Sequence, residues 1–498
     1  ARTANEFTLT TTTTGDKNDG YVRWGYTTNT IGLQDTWKVS PYLTINAGIR
    51  FDIYTADNTI QLNQNFVNRY AALFPGLVNT ATLDGRKKAQ PRFGFNWQAT
   101  PTLRIAGGAG LFSGGLSDVF ISNNYSNSGA AINATGATIA SVDFVRTGGT
   151  AGAPTCQERS TGKDSTTTPS LAPLCALALS NVAGGSIPQP IIDFIKSNSG
   201  VAASALTNFL DPKFKLPAQW KFNLSANWKP DLSSLGLGTG WTFRGDVLFS
   251  KAQQALRWTD LRAQPLVING VAQVTPDGRP RYGGNVNGAS PGANYDVELT
   301  NTTKGKGLVF AIGATKQSDM FDLSLSYTHQ NVKDVTGVLT SSTIGSTYGS
   351  VPTSDPNSGG DYGRSTFEIT HTIRANFEFH HKFFGDNETR FGINVELRSG
   401  QPWSVTMFDN TNSAATNLAC SVNGTATGRS CVFGTATNQN AHLLYVPDFN
   451  LSPVNNASAV QGVPGTLTQY GNVIFADAAG TESARGHRTV WIADLLLR

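Results

Sequence analysis

The chain has 498 residues, of which 14% are charged and 10% aromatic, and its formal net charge at neutral pH is +4. A charge this small does not indicate a nucleic-acid-binding protein. The sequence has no apolar run of about 18 residues, so it predicts no transmembrane helix, and a chain like this one could span a membrane only as a β-barrel.

Segments in which apolar and polar residues alternate recur along the whole chain. In chain order they are 21–39, 43–53, 93–97, 103–111, 220–228, 241–249, 308–312, 321–327, 366–379, 391–397 and 486–498. A period of two residues is typical of a β-strand with one apolar and one polar face. Several segments reach about 12 to 15 residues, long enough to cross a bilayer at a tilt.

The connections between these segments are of two kinds. Short turns join the members of each pair, whereas the connections 56–89, 114–216, 260–303, 333–365 and 401–485 are long and rich in Asn, Thr, Ser, Gly and Pro. Long loops at one end and short turns at the other are typical of outer-membrane barrels. We therefore predict an all-β, antiparallel transmembrane barrel with about twelve strands in this chain, extracellular long loops and periplasmic turns.

Charged side chains fall on the polar parity of these strands, most clearly in the hairpin 366–400. A face that carries Glu and Arg in succession should face water, so we predict that the following residues line a wet lumen: Arg50, Asp52, Arg244, Asp246, Asp322, Glu368, Arg374, Glu378, Arg390, Glu396 and Arg398. Paired carboxylates are also compatible with acid–base chemistry, but a mixed-sign ladder suits contact with a polar plug better, and we expect no enzyme activity.

All nine tryptophans lie in or beside predicted strands. We interpret them as two aromatic girdles at the membrane interfaces. The alternative is core packing in a soluble β-sandwich.

The four cysteines form two pairs, Cys156 with Cys175 and Cys420 with Cys431, each within one long connection. Local disulfides are the favoured interpretation, because no CxxC motif or paired histidine spacing supports the competing zinc site. The six histidines are interpreted as interface or turn residues rather than metal ligands, and residues 16–20 as a hairpin turn rather than a calcium loop. We expect no metal and no cofactor.

Several motifs resemble the TonB-dependent outer-membrane receptors, and among them the Oar-like subgroup. They include GLQDTWKV at 32–39, LTINAGIRFD at 43–52, QPRFGFN at 90–96, GGAGLFSG at 107–114 and SNNYSNSG at 122–129, followed by DPKFK at 211–215, LTNTTKG at 299–305, RSGQP at 398–402 and LYVP at 444–447. The resemblance implies a barrel of about 22 strands, of which residues 1–498 are part of the C-terminal barrel. We expect further sequence at both ends, including a plug with its TonB box and a carboxypeptidase-regulatory-like domain. Asp35 departs from the pattern by lying on the apolar parity, which predicts a bulge or a position outside the hydrocarbon band.

The resemblance implies a bacterial outer-membrane importer. A substrate would bind the extracellular loops, and the TonB complex would act on the plug; outer-membrane lipid and lipopolysaccharide would surround the barrel. Asn123, Asn124, Tyr125, Trp258 and Trp403 are either candidate contacts for a peptide or glycan or ordinary loop and girdle residues. The alternatives are a surface adhesion, structural or protein-export barrel, a passive porin, and a soluble β-rich enzyme.

Overall fold

The architecture comes from a computed structural model that describes residues 4–14, 16–114, 116–130, 139–159, 162–180, 187–198, 205–265, 267–272, 280, 282–284, 296–335, 362–402, 406–407, 442–443 and 491–497. Within these ranges most regular structure is β-strand, and no helix is long and apolar enough to cross a membrane.

The strands and helices are numbered in chain order. The strands are Glu6–Thr12 (β1), Thr27–Ser40 (β2), Leu43–Thr55 (β3), Lys87–Thr100 (β4), Leu103–Ser113 (β5), Ile139–Thr150 (β6), Ala153–Glu158 (β7), Lys163–Asp164 (β8), Thr207–Leu210 (β9), Ala218–Trp228 (β10), Trp241–Asp260 (β11), Gln264–Pro265 (β12), Val267–Ile268 (β13), Val271–Ala272 (β14), Tyr282–Gly284 (β15), Asp296–Thr302 (β16), Lys306–Gln317 (β17), Phe321–Asp334 (β18), Gly363–Arg364 (β19), His371–Phe384 (β20), Asn387–Ser399 (β21), Thr406–Met407 (β22), His442–Leu443 (β23) and Trp491–Leu497 (β24). The α-helices are Gln64–Tyr70 (α1), Asp118–Ser126 (α2), Ala172–Ser180 (α3) and Gln189–Asn198 (α4), and 3₁₀ turns lie at Lys17–Gly20, Pro169–Leu171 and Ser233–Leu235.

The long strands form one antiparallel sheet in the order β2-β3-β4-β5-β10-β11-β17-β18-β20-β21-β24. Over the described residues this path has eleven strands, which agrees with the prediction of about twelve. At one end of the sheet the strands are joined by turns, for example between Ser40 and Leu43 and between Thr100 and Leu103. At the other end lie the long connections 56–86, 114–217, 261–305, 335–370 and 400–490. The predicted asymmetry of the connections is therefore confirmed.

The register keeps the two faces of the sheet separate across every strand pair. Ile49 lies opposite Leu33 and Pro91, and Phe310 lies opposite Val247. On the other parity, Arg374 lies opposite Ser326 and Glu396. We call the first side the apolar face and the second the polar face. Large side chains of the apolar face, such as Leu33 and Phe222, remain exposed, as expected for strands whose outer surface meets lipid.

Two predicted strand segments extend beyond the strands of the structure. Residues 21–26 precede β2 and pack on the loops instead of extending the strand. Residues 366–370 also lie outside a strand, because β20 begins at His371. In contrast, β11 runs to Asp260, where the long connection 260–303 was predicted to begin, and its last residues pair with β16. Tertiary pairing, which alternation alone does not reveal, decides these boundaries.

Two local predictions were wrong in whole or in part. Asp35 pairs with Ala47 in regular register, and the irregularity in this hairpin lies between Lys38 and Ser40. There is thus no bulge at Asp35, and the other alternative, a position outside the hydrocarbon band, remains a prediction. Residues 16–20 form a 3₁₀ turn whose start is capped by Asp16, which accepts a hydrogen bond from the Asn18 N–H at 2.8 Å. The turn joins strands of two different sheets, so it is not a hairpin turn.

The glycines of β5 allow close contact with β4. A Cβ atom on Gly108 would lie 2.7 Å from the carbonyl oxygen of Phe93, and one on Gly107 would lie 2.8 Å from Cε1 of Phe95. Any larger residue would therefore push β4 and β5 apart.

The described residues of the long connections pack together at their end of the sheet. We call the described residues of 4–26, 56–86, 114–217 and 252–305 the cap. They share a hydrophobic core: Ile60, Leu83, Phe120, Ile121, Tyr125, Leu210, Phe214, Leu216, Leu256, Trp258, Val297 and Leu299. Three long connections contribute to this core, so the cap packs as one unit at the barrel end.

A second core belongs to a small lobe of the cap. The lobe consists of the sheet β1-β6-β7-β8 together with α3 and α4. Val142, Phe144, Leu179, Ile191 and Cys175 lie at its centre. β1 belongs to the lobe and not to the barrel sheet, because β1 pairs with β6 from Glu6 to Thr12.

Candidate functional site: the cap and the polar face

A buried carboxylate, Asp296 at the start of β16, holds three long connections of the cap together. It accepts hydrogen bonds from Nε and Nη2 of Arg262 at 2.8 and 2.9 Å and from the Tyr70 hydroxyl at 2.7 Å. Arg69 of α1 forms a further ion pair with the same carboxylate. Arg262 also donates from Nη2 to the carbonyl oxygen of Ala205 at 2.6 Å. Because all these groups lie away from water, the ion pairs determine how the connections fit together.

Asp260, at the end of β11, is the second buried carboxylate of this cluster. Its Oδ1 accepts the backbone N–H groups of Arg262 at 3.0 Å and Asp296 at 2.9 Å. Burial raises the pKa of Asp260 to about 7. Burial, with the nearby charge of Asp211, likewise raises the pKa of Glu298 to about 7. The cap therefore contains two carboxyl groups that change charge near neutral pH.

Two further polar side chains join the first and second long connections. Asn63 accepts the Phe66 N–H at 3.1 Å, which caps α1, and donates to the Thr207 hydroxyl at 3.0 Å. Arg86 donates to the carbonyl oxygens of Phe214 at 2.6 Å and Pro212 at 3.0 Å. These contacts join the two connections through side-chain hydrogen bonds, which favours one defined arrangement.

Four aromatic rings form a row where the cap meets the polar face of the sheet. The ring centroids of Trp24 and Tyr125 are 5.4 Å apart, those of Trp24 and Tyr26 are 6.1 Å apart, and those of Tyr26 and Tyr54 are 5.4 Å apart. We call these four residues the aromatic row. Tyr54 continues the polar face of β3, and Trp24, Tyr26 and Tyr54 remain partly exposed. Partly exposed aromatic rings suit the binding of sugar or peptide groups.

Tyr26 links the aromatic row to α2. Its hydroxyl donates to Oδ1 of Asp118 at 2.7 Å. This hydrogen bond, together with burial, raises the pKa of Tyr26 to about 12. The phenol therefore stays neutral and acts as a donor throughout the physiological pH range.

The structure places the five candidate ligand contacts in different environments. Trp258 is fully buried and packs edge-on against Phe120 at 5.1 Å. Asn124 is also buried, and neither of its amide atoms has a partner within the described structure. Asn123 is buried as well and donates to the carbonyl oxygen of Val119 at 2.6 Å. For these three residues the interpretation as ligand contacts was wrong, since none of the side chains reaches the surface. Of the five, only Tyr125 belongs to the aromatic row, and Trp403 lies outside the described residues.

The girdle interpretation holds for only part of the tryptophans. Trp37, Trp97 and Trp228 are exposed on the apolar face near the turns, and Trp220 lies on that face near the long connections. Trp24 and Trp258 instead belong to the cap. For these two, the girdle prediction was wrong, because alternation does not distinguish a strand end from a loop that packs on a core.

The predicted disulfide between Cys156 and Cys175 is confirmed, with a Cα–Cα distance of 5.8 Å. It joins β7 to α3 inside the lobe, and both cysteines are fully buried. Cys420 and Cys431 lie outside the described residues, so their pairing remains a prediction.

Ten of the predicted lumen-lining residues lie in strands of the polar face. Nine of them form ion pairs with one another: Arg50 with Asp52, Arg244 with Asp246, Arg374 and Arg398 with Glu396, and Arg390 with Glu378. The tenth, Asp322, lies opposite Glu378 in the register. Their exposure to a wet lumen remains a prediction, but the mixed-sign ladder itself is present.

Glu368 is the exception, and the prediction of its position was wrong. It precedes β20, is buried, and accepts the Val332 N–H at 2.6 Å and a hydrogen bond from Arg364 Nε at 2.7 Å. Its carboxylate binds a backbone N–H near the end of β18, so Glu368 does not belong to the mixed-sign ladder.

Within the described residues, one group of side chains has the composition of a metal site. Ligand atoms of Asp322, Glu378 and His380 lie within 4.8 Å of one another on the polar face. Glu378 already pairs with Arg390 Nη1 at 2.9 Å, so an incoming cation would compete with that guanidinium.

The polar face also has a basic depression near the turns. A cavity of about 500 Å³ is lined by Arg104, Lys229 and Arg244, together with amide and hydroxyl side chains. Arg104 donates to the Asn96 side chain at 2.7 Å, and Arg244 pairs with Asp246 at 2.7 Å. The depression can therefore receive acidic or polar groups.

The chain matches the family described as "Outer membrane beta barrel domain" over residues 3–487. Since the match covers nearly the whole chain, the chain belongs to this family. It is an outer-membrane β-barrel protein, as the two-faced antiparallel sheet also indicates.

Solved structures with a similar architecture are distant. The FrpB iron transporter from Neisseria meningitidis (F3-3 variant) is 9% identical, with a TM-score of 0.34 over 76% of this chain and 35% of the transporter. The copper transporter OprC is 10% identical, with a TM-score of 0.24 over 75% of this chain and 43% of OprC. A Pseudomonas aeruginosa FadL homologue is 9% identical, with a TM-score of 0.21 over 78% of this chain and 64% of the homologue.

The chain thus spans 35% of the length of the FrpB transporter that it resembles. Comparison with curated protein sequences produces no match. At these identities and scores the structural likenesses carry no argument about substrate or mechanism.

Proposed function

We propose that this protein is a TonB-dependent outer-membrane transporter of the Oar-like subgroup, in which the cap captures a substrate outside the cell for import. The observation that carries the proposal is the cap itself. Three long connections fold together at one end of the barrel sheet around a shared core and the buried Asp296 cluster. A passive pore does not require an ordered, multi-loop surface at its mouth, whereas a receptor does.

The polar face supports a plugged barrel. Its ion pairs and its basic depression offer donors and acceptors to a folded plug. A plug docked on this face would satisfy groups that an empty lumen leaves to water.

The aromatic row supports a glycan or peptide as the substrate class. Trp24, Tyr26 and Tyr54 have partly exposed rings at the junction of cap and polar face. A substrate captured there would already lie at the entrance to the lumen.

The import mechanism is tested by uptake after deletion of the TonB gene. Cells should take up a fluorescently labelled peptide or oligosaccharide that binds the purified protein, and the deletion should abolish this uptake while leaving binding at the cell surface intact. Unchanged uptake in the deletion strain would contradict import and favour passive diffusion.

The lobe favours one alternative, namely surface adhesion or assembly. It is a disulfide-linked unit with its own core, and such a unit could bind a macromolecule without transport. Deletion of the TonB gene would leave that activity unchanged, which distinguishes the two functions.

A further inference from the structure

Three lysines form a row across adjacent strands on the apolar face of the sheet. Lys251 of β11 lies opposite Lys306 of β17, and Lys306 lies opposite Lys333 of β18. Directly opposite residues of an antiparallel sheet have Cβ atoms about 5 Å apart and point to the same side. We call these three residues the lysine row.

The lysine row marks the upper edge of the apolar band. The next pair of outward residues towards the turns is Phe249 and Leu308, which face each other and are both exposed. Trp220 of β10 lies opposite Lys251, at the level of the lysine row. Tryptophan and lysine directly above an apolar band are typical of a membrane interface, where the ring and the ammonium group reach the headgroup layer.

No acidic side chain of the described structure forms an ion pair with the lysine row. Lys251 and Lys306 are exposed, and Lys333 is partly exposed. Arg364 of β19 lies opposite Lys333, but its guanidinium pairs with Glu368 at 2.7 Å. Like charges that face each other across strands repel, so this arrangement costs stability unless an anion lies between them.

We propose that the lysine row binds the phosphate groups of lipid A, the membrane anchor of lipopolysaccharide. The inference rests on the proposed orientation, which places the cap and therefore the lysine row at the outer leaflet. Lipid A presents phosphates at the depth where its acyl chains begin, and the acyl chains would cover Phe249 and Leu308 directly below. The partner thus matches both the charge of the lysine row and the apolar surface beside it.

The test compares lipid A binding by the full chain and by matched variants in detergent micelles, with native mass spectrometry as the readout. The triple variant Lys251→Gln, Lys306→Gln and Lys333→Gln should bind bisphosphorylated lipid A about 10- to 100-fold more weakly. The corresponding Lys→Arg triple variant should bind normally. A control that removes the same charge from exposed sites elsewhere, Lys163→Gln, Lys196→Gln and Lys213→Gln, should also bind normally.

Two competitors identify the source of the phosphate. Phosphatidylglycerol and inorganic phosphate should each displace lipid A poorly, and dephosphorylated lipid A should bind the wild type as weakly as the Gln triple variant does. Equal binding by wild type and Gln triple variant, or efficient displacement by either competitor, would overturn the proposal.

The orientation is measured separately with an epitope inserted after Gly152, in the exposed turn between β6 and β7. The epitope should bind antibody on intact cells. An epitope detected only after permeabilisation would place the lysine row at the inner leaflet and overturn the proposal. Loss of TonB-dependent uptake alone would contradict import but would leave the lipid A measurement unchanged.

Discussion

Asp296 is the residue on which the polar contacts of the cap converge. Arg69, Tyr70 and Arg262 all bind its carboxylate, and the surrounding side chains exclude water. Removal of one partner from such a cluster is costly, because the remaining buried charges lose their compensation.

We therefore predict that Asp296→Asn destabilises the cap by about 3–5 kcal/mol. Hydrogen-exchange mass spectrometry should show faster exchange of the β16 amides, with the barrel strands unaffected. Asp246→Asn is a matched control, since it removes the partner of Arg244 from an exposed pair and should have a much smaller effect. Equal hydrogen-exchange protection of the β16 amides in the wild type and in Asp296→Asn would show that the cluster does not hold β16 in place.

Asp260 and Glu298 should make the cap more stable in mild acid. Each has a pKa of about 7 in the folded state, above its ordinary value, so the folded cap holds protons that the unfolded cap releases. Stability should therefore rise as the pH falls from about 8 to about 5, by up to about 1.4 kcal/mol per pH unit for each group.

This pH dependence can be measured as urea-induced opening of the cap, followed by limited proteolysis at several pH values. Asp260→Asn keeps an oxygen acceptor for the Arg262 and Asp296 N–H groups but cannot titrate, so its profile should be flatter. An unchanged slope in this variant would show that other groups determine the response.

At the scale of single elements, the parity of each strand determines which side chains meet lipid. Phe310 and Val309 are neighbours on β17, but Phe310 pairs with Val247 on the apolar face and Val309 pairs with Leu248 on the polar face. Phe310→Arg should cost about 2–4 kcal/mol of folding free energy in lipid vesicles, because a charge is then placed in the hydrocarbon band.

Val309→Arg is the control for this substitution, since it adds the same charge to the same strand on the opposite face. It should fold nearly as well as the wild type in a urea titration followed by tryptophan fluorescence. If the two variants lose the same stability, the assignment of the faces is incorrect.

The lobe is a second element whose stability can be separated from that of the barrel. The disulfide closes a segment with a sequence separation of 19, and its removal should destabilise the lobe by about 3 kcal/mol through loop entropy. The variant Cys156→Ala with Cys175→Ala should make β6 and β7 sensitive to protease while the barrel sheet stays resistant. Protease resistance equal to that of the wild type would show that the hydrophobic core alone holds the lobe.

On the scale of the whole molecule, the barrel sheet was predictable from the sequence and the cap was not. Alternation such as that of Leu43 to Ile53 depends only on which face meets lipid, so it identifies both the strand and its lipid-facing side. The pairing of β1 with β6, or of Asp296 with Arg69, joins residues far apart in the chain. No local pattern encodes such contacts.

The dependence on contacts between residues far apart in the chain also explains the wrong predictions for individual residues. Glu368 follows the alternation of β20 but lies before that strand, and Trp258 lies near an alternating segment but belongs to the core of the cap. The Cys156–Cys175 disulfide was predictable because both cysteines lie in one connection. The lysine row depends on the register between strands, which the sequence of each single strand does not contain.

An outward-facing cap is tested most directly by determining on which side of the membrane each end of the barrel lies. An epitope after Gly152 in the lobe and a second one after Gly385, in the turn between β20 and β21, mark the two ends. Antibody should bind the first epitope on intact cells and the second only after permeabilisation. The reverse pattern, or access to both on intact cells, would contradict an outward-facing cap and the import function built on it.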